Sequence, residues 1–315
     1  MMTSLHRLAL AGVIAGTAAL AQIGVADAHA VCGNRIFPAT LAIDDPGVSD
    51  ELALPTVSYM PKNADGNREV DASFSYTKTI FPNFGIIVTD GPTWLHPGGA
   101  GWGNVDTEAK YNIWCNAQHE FMVSVGLNVS WANTGTHRFS ETFNTFTPVV
   151  DIGKGFGDLP TSLNILRPFA VTAQFGLSVP SAGHTSTTVY DDSGNPSLNV
   201  ALNPTVFHWG FTLQYSLPYM NANVSEIGGP DFLKHLVPIT EFAFQTPVSH
   251  VPQGGHTTTG TVQPGVIYSA DTWQLALEAL VPINKASGRH VGAVAELHFF
   301  FDDIFPNSLG KPLFQ

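Results

Sequence analysis

Glu108, Lys110, Glu120, Glu241, Glu278 and Glu296, with His208 and His298, are ionisable residues that fall in phase with a polar–apolar alternation, and Asn128, Gln174 and Gln214 share that phase. Gathered on one enclosed surface, five carboxylates against one lysine create a negative field. Such a field draws cations and admits neutral solutes ahead of anions. The same set could equally satisfy itself through hydrogen bonds and fill a closed interior, so both uses stay open. Charge is scarce elsewhere. Only 12% of residues are charged, against about 25% in a typical soluble domain.

Other chemistries find less in the chain. Its twelve histidines are scattered, without the H-x-x-x-H, H-E-x-x-H or Cys–His spacings that hold zinc. His250 and His256 share a loop and would touch a metal only incidentally, so no metal or cofactor is expected. A lipid hydrolase would need a Ser–His pair with an orienting polar group. No G-x-S-x-G nucleophile motif is present, and no catalytic residue is assigned. The formal net charge of -12 argues against nucleic acid, which binds to clustered Lys and Arg.

The elements that position the polar set are long strands. From Glu120 to Trp131 every odd position is apolar, while the even ones, Met122 apart, are small or polar. Successive strand side chains point to opposite faces. A tilted strand crossing a bilayer needs about 9–11 residues, whereas soluble strands average about 5–6. The pattern recurs in twelve segments: 51–60, 68–79, 84–89, 105–115, 120–131, 145–152, 169–179, 207–217, 236–245, 261–268, 272–282 and 291–301. Those at 51–60 and 145–152 are weakly patterned. The fold expected is all-β, a single-domain antiparallel transmembrane β-barrel. A secreted β-sandwich would instead show short strands and a charged solvent face. Trp131, Phe207, Trp209, Tyr215, Trp273, Phe299 and Phe301 lie near strand ends, as interfacial girdles do.

Bacterial barrels turn tightly on the periplasmic side and loop widely outside. With both termini periplasmic, the short links at 81–83, 116–118 and 269–271 fall inside, and those at 91–104, 181–197 and 248–260 fall outside. The short link at 284–289 runs against this trend. Residues 1–30 read as a cleaved secretory signal, with His6 and Arg7 before an apolar run from Leu8 to Leu20 and an A-x-A site at Ala28-His29-Ala30. Cleavage after Ala28 is an alternative, and a membrane anchor is a weaker one. The organisation expected is a signal at 1–30, a periplasmic segment at 31–50, a barrel at 51–302 and a periplasmic tail at 303–315. Partners expected are outer-membrane lipid, a small-molecule solute and, during biogenesis, the barrel-assembly machinery of a Gram-negative envelope. Cys32 and Cys115 are the two cysteines. Export to an oxidising compartment and the periplasmic end of the Cys115 strand favour a bridge between them.

Several short segments carry a family likeness: Gly155-Phe156-Gly157-Asp158, Leu166-Arg167-Pro168-Phe169, Gln214-Tyr215-Ser216-Leu217-Pro218-Tyr219, Val237-Pro238 with Glu241-Phe242, Pro282-Ile283-Asn284 and Phe301-Asp302-Asp303-Ile304-Phe305-Pro306. In these the chain resembles outer-membrane barrels described as meta-pathway phenol-degradation or transporter proteins. The resemblance covers the second half well and the first half thinly. It implies a barrel that passes small compounds, aromatic or apolar ones among them. The dozen residues after the last strand depart from barrels that end on a terminal aromatic strand.

Overall fold

The computed structural model describes residues 30–190, 195–252 and 254–314. The expected signal segment, apart from Ala30, lies outside the described residues. Two three-residue strands come first, β1 (Ala30–Cys32) and β2 (Arg35–Phe37). Then follow β3 (Glu51–Met60), β4 (Arg68–Phe81), β5 (Phe84–Asp90), β6 (Pro92–His96), β7 (Gly99–Trp102), β8 (Asp106–Asn116) and β9 (Phe121–Ser130). The remainder are β10 (Thr145–Gly155), β11 (Phe169–Pro180), β12 (His184–Tyr190), β13 (Pro196–Leu202), β14 (Thr205–Tyr215), β15 (Leu236–Ser249), β16 (Thr259–Ser269), β17 (Trp273–Pro282) and β18 (Gly292–Phe300).

Twelve of these strands close a ring in the order β3-β18-β17-β16-β15-β14-β11-β10-β9-β8-β5-β4, and β4 pairs back onto β3. Every ring pairing is antiparallel, so no backbone edge is left to solvent or lipid. The ring strands coincide with the twelve patterned segments, including the weak pair at 51–60 and 145–152. β6 and β7 extend the β4 edge as a hairpin beyond the ring, and β12–β13 form a second hairpin that begins in the loop expected at 181–197 and runs past its end to Leu202.

The alternation of β9 resolves into two faces. Ser124 is 0% exposed while Val125 is 37% and Leu127 45% exposed. The apolar side therefore looks outward with nothing packed over it, which excludes a second sheet layer. Tyr111, Phe175, Leu213 and Leu277 are exposed on the same outer surface.

Two bulges shift the phase. In β8 the register with β9 slips between Asn112 and Trp114, so Ile113 and Trp114 both face out. One extra residue re-aims everything after it, and Cys115 turns inward opposite Met122. In β3 the register slips on both sides between Ala53 and Thr56, around Pro55, which has no N–H to give to the ladder.

Two kinds of link follow from the ring. One end carries the tight reversals at 82–83, 117–120 and 270–272, two helical links, the N-terminal hairpin and the C-terminal tail; we call it the turn end. The helical link after β14 holds helix Leu217–Asn223, capped where Ser216 Oγ accepts from Tyr219 N at 3.1 Å. The links at 61–67, 91–105, 131–144, 181–204, 250–258 and 283–291 lie at the opposite, loop end. Phe301, expected at the end of the last strand, instead begins a short helix, Phe301–Ile304, at the turn end and packs on Tyr76.

A candidate lumenal site and the segment that crosses it

Every polar residue singled out in the sequence lies on the lumen side of its strand or at the mouth. They gather into groups around a chain segment that the sequence left below the barrel: residues 38–50 run inside the ring and bond to its walls.

At the turn end, β1 and β2 seat against the inner wall with Phe37, Ala30, Cys32, Met122 and Ala170 in one apolar cluster. Cys32 and Cys115 are joined as a disulfide, with Cα atoms 5.8 Å apart. Arg35 is fully buried and its Nε donates to Glu120 Oε2 at 3.1 Å, while its other nitrogens donate to the carbonyls of Pro168 and Arg167. Its guanidinium stacks 3.8 Å over the Tyr219 ring. The Tyr219 hydroxyl donates to Glu120 Oε1 at 2.8 Å. Burial, and then the Glu120 carboxylate beside it, push that hydroxyl up to about 12, so it stays a donor at any physiological pH.

Further in, Glu241 accepts three backbone N–H groups of the segment, from Leu41 at 2.7 Å, Ala42 at 3.1 Å and Ile43 at 2.7 Å. Glu278 lies against Glu241, carboxyl to carboxyl. Gln274 donates to Ala39 O at 2.6 Å. Lys110 binds Asp44 Oδ2 at 2.7 Å, Asp151 Oδ2 at 3.3 Å and the Asp45 carbonyl. Asn112 and Ser124 both donate to Pro46 O.

Oxygens of Asp44, Glu108 and Asp151 converge within 4.8 Å of one another. The Lys110 ammonium stands among them and supplies the positive charge that such a group requires. Gln174 donates to Asp151 Oδ1 at 2.9 Å. Gln214 bonds to Thr212, which meets Thr172 across the strands. His208 on β14 faces inward but joins none of these groups.

The walls are shaped for the segment. A Cβ placed on Gly153 would lie 2.7 Å from Pro46 Cγ, one on Gly85 2.7 Å from Val48 Cγ1, and one on Gly210 2.3 Å from Ile43 Cδ1. Side chains at those wall positions would fill the path. Gly153 also explains the poor pattern of β10: its inward positions include two glycines, so Asp151, a buried lumenal carboxylate, went unassigned. Asp44 and Asp45 precede Pro46-Gly47 and so carry only a turn signal, and Arg35 stands in no periodic run.

The segment is bonded to β8, β9, β15 and β17 and leaves space beside it. A cavity of ≈ 240 Å³ lies between residues 39–42 and the wall formed by β18, β3, β4, β5, β8, β9 and β11. Glu108, Asn128, Gln174, Glu296 and His298 line it, with Asp44 and Glu51. His298 bridges Glu51 and Glu296 at 3.2 Å each, and Thr56 Oγ1 donates to Glu296 at 2.6 Å. The cavity wall thus carries four carboxylates against one imidazole, with Lys110 just behind it.

No protein-family model matches the chain, and no curated protein matches it. Among solved structures it is similar to the KdgM porin, at 12% identity over 78% of this chain and 98% of that one with a TM-score of 0.44. It is also similar to the NanC porin in its rhombohedral crystal form, at 10% identity over 79% and 98% with a TM-score of 0.44. A third is the β domain of the Bordetella autotransporter BrkA, at 8% identity over 80% and 99% with a TM-score of 0.43. The ring closure described above rests on this chain's own strand pairing.

Proposed function

We propose that the chain is an outer-membrane barrel that admits small neutral or cationic solutes into a negatively charged lumen, acting as a channel and not as an enzyme. The observation that carries this reading is the ring itself: apolar side chains such as Val125, Leu127, Leu213 and Leu277 stand exposed on its outer surface, while carboxylates line an internal cavity. The likeness to phenol-degradation barrels adds small aromatic or apolar compounds to the candidate solutes. Export through a cleaved signal and insertion by barrel-assembly machinery belong to the same reading.

Reconstitution in planar bilayers and in liposomes tests it. The full-length barrel should conduct with a preference for cations, and Glu108→Gln with Glu296→Gln should lower that preference. Ion selectivity that ignores both substitutions would remove the lumen from the path. Lipid or ester hydrolysis by purified protein would favour the enzyme class instead.

A second reading is favoured by residues 38–50, which fill much of the lumen: a barrel with a plugged polar interior. It predicts no liposome swelling with any solute.

A further inference from the structure

Residues 38–49 are held at both ends, and both holds are at the same mouth. At one end the Cys32–Cys115 disulfide and the Arg35–Glu120 pair root the β1–β2 hairpin. At the other, Asp50 accepts from Lys78 Nζ at 2.6 Å and Thr79 N at 2.9 Å where β3 begins. The stretch between them is therefore a loop pushed up into the lumen and not a free tail. It could fold back toward the turn end without breaking either anchor.

Its attachments inside the lumen are polar and come from β8 and, across the ring from it, β15 and β17. Glu241 grips Leu41, Ala42 and Ile43, Lys110 grips Asp44 and the Asp45 carbonyl, and Gln274 grips Ala39. Residues 39–42 and Asp44 border the cavity, so that stretch of the loop has room to move. The glycines at 85, 153 and 210 show that its place against the wall is built into the barrel.

We propose that residues 38–49 are a gating loop, clamped across the lumen by Glu241 and Lys110 and able to withdraw to the turn end while both roots hold. This rests on the channel reading above. Removing a clamp takes away charge-assisted hydrogen bonds that exist only in the closed arrangement, and so raises the open population.

The test uses the full-length barrel with Glu241→Ala, and Asp44→Asn as a second variant that breaks a clamp from the loop side, each checked for folding by heat-modified gel mobility. Single-channel recording should show open events rising roughly tenfold over the unsubstituted protein. A second readout follows the loop alone. The sequence has two cysteines and both are bridged, so Ile43→Cys adds the sole thiol. Ile43 is buried, and that thiol should resist a membrane-impermeant maleimide until Glu241→Ala is added, then react. Folded clamp variants with unchanged conductance and unchanged labelling overturn the gate. Labelling that rises while no variant conducts supports loop withdrawal and overturns the channel reading.

Discussion

Arg35 and Glu120 form a salt bridge with side chains 0% and 5% exposed, and almost every donor and acceptor around it is used. Glu120 reaches this position because its backbone takes a left-handed φ of 46° in the reversal between β8 and β9. Breaking one partner of such a pair strands the other charge in a dry site. Arg35→Ala is therefore expected to lower stability by about 3–5 kcal/mol, read as a drop in the temperature at which gel mobility shifts. Tyr219→Phe removes one hydrogen bond and leaves the ring under the guanidinium, so its cost should be about 1 kcal/mol or slightly more. Glu278 is the converse case. A second carboxyl, that of Glu241, lies against it, so Glu278→Gln, which offers Glu241 an N–H, should hold or raise the melting temperature. A clear loss would show that the Glu278 carboxylate has a partner that the neutral amide cannot replace.

At the scale of the element, alternation made most ring strands readable and also marks where reading failed. β9, β11 and β14 repeat with period two without interruption, so their lumenal Asn128, Gln174 and Gln214 could be placed from sequence. β3 read weakly because Pro55 sits in a bulge, and β10 because glycines make way for another part of the chain. The course of residues 38–50 is illegible for a different reason: its partners lie as far as 252 residues away, and its own groups are mostly backbone. The bulge at Ile113 and Trp114 leaves no period signal either, yet it is what turns Cys115 toward Cys32. The C-terminal tail is a further element with no periodic mark. It runs beside β4, where Leu313 N donates to Thr79 O at 3.1 Å and Phe314 stacks on Phe81 at 5.4 Å. Asp302, at the start of this tail, accepts from Asp50 N at 3.0 Å. Burial, and then the facing Asp50 charge, push the Asp302 carboxyl up to about 8. A carboxyl raised in the folded state contributes stability below its unfolded value and loses it as pH climbs through the folded one. The junction should thus loosen at about pH 9 relative to about pH 6.5. Limited proteolysis of the tail should quicken over that range, and Asp302→Asn, which keeps the acceptor oxygen, should flatten the dependence.

For the whole molecule the governing fact is the contrast between the two sides of the ring. Among the described residues no helix is long and apolar enough to cross a membrane, so a crossing made by these residues is made by strands. The ring strands run from the 7 residues of β5 to the 14 of β4 and β15, a span that brackets the 9–11 residues of a tilted crossing strand. Leu277 stands near the middle of β17, paired with Val266 and Ala295 and 56% exposed on the outer face. In water an arginine there would be harmless and would even aid solubility. In a bilayer the same side chain would have to enter hydrocarbon, at a cost of about 2–4 kcal/mol near the midplane that fades toward the interfaces. Leu277→Arg should therefore lower folding stability in phospholipid vesicles by that amount, while an equivalent change nearer the headgroups, such as Trp273→Arg, should cost less. Denaturant titration of vesicle-folded protein measures both. If Leu277→Arg proved neutral in lipid, and the chain were recovered as a soluble species, the bare outer face would need another partner than acyl chains.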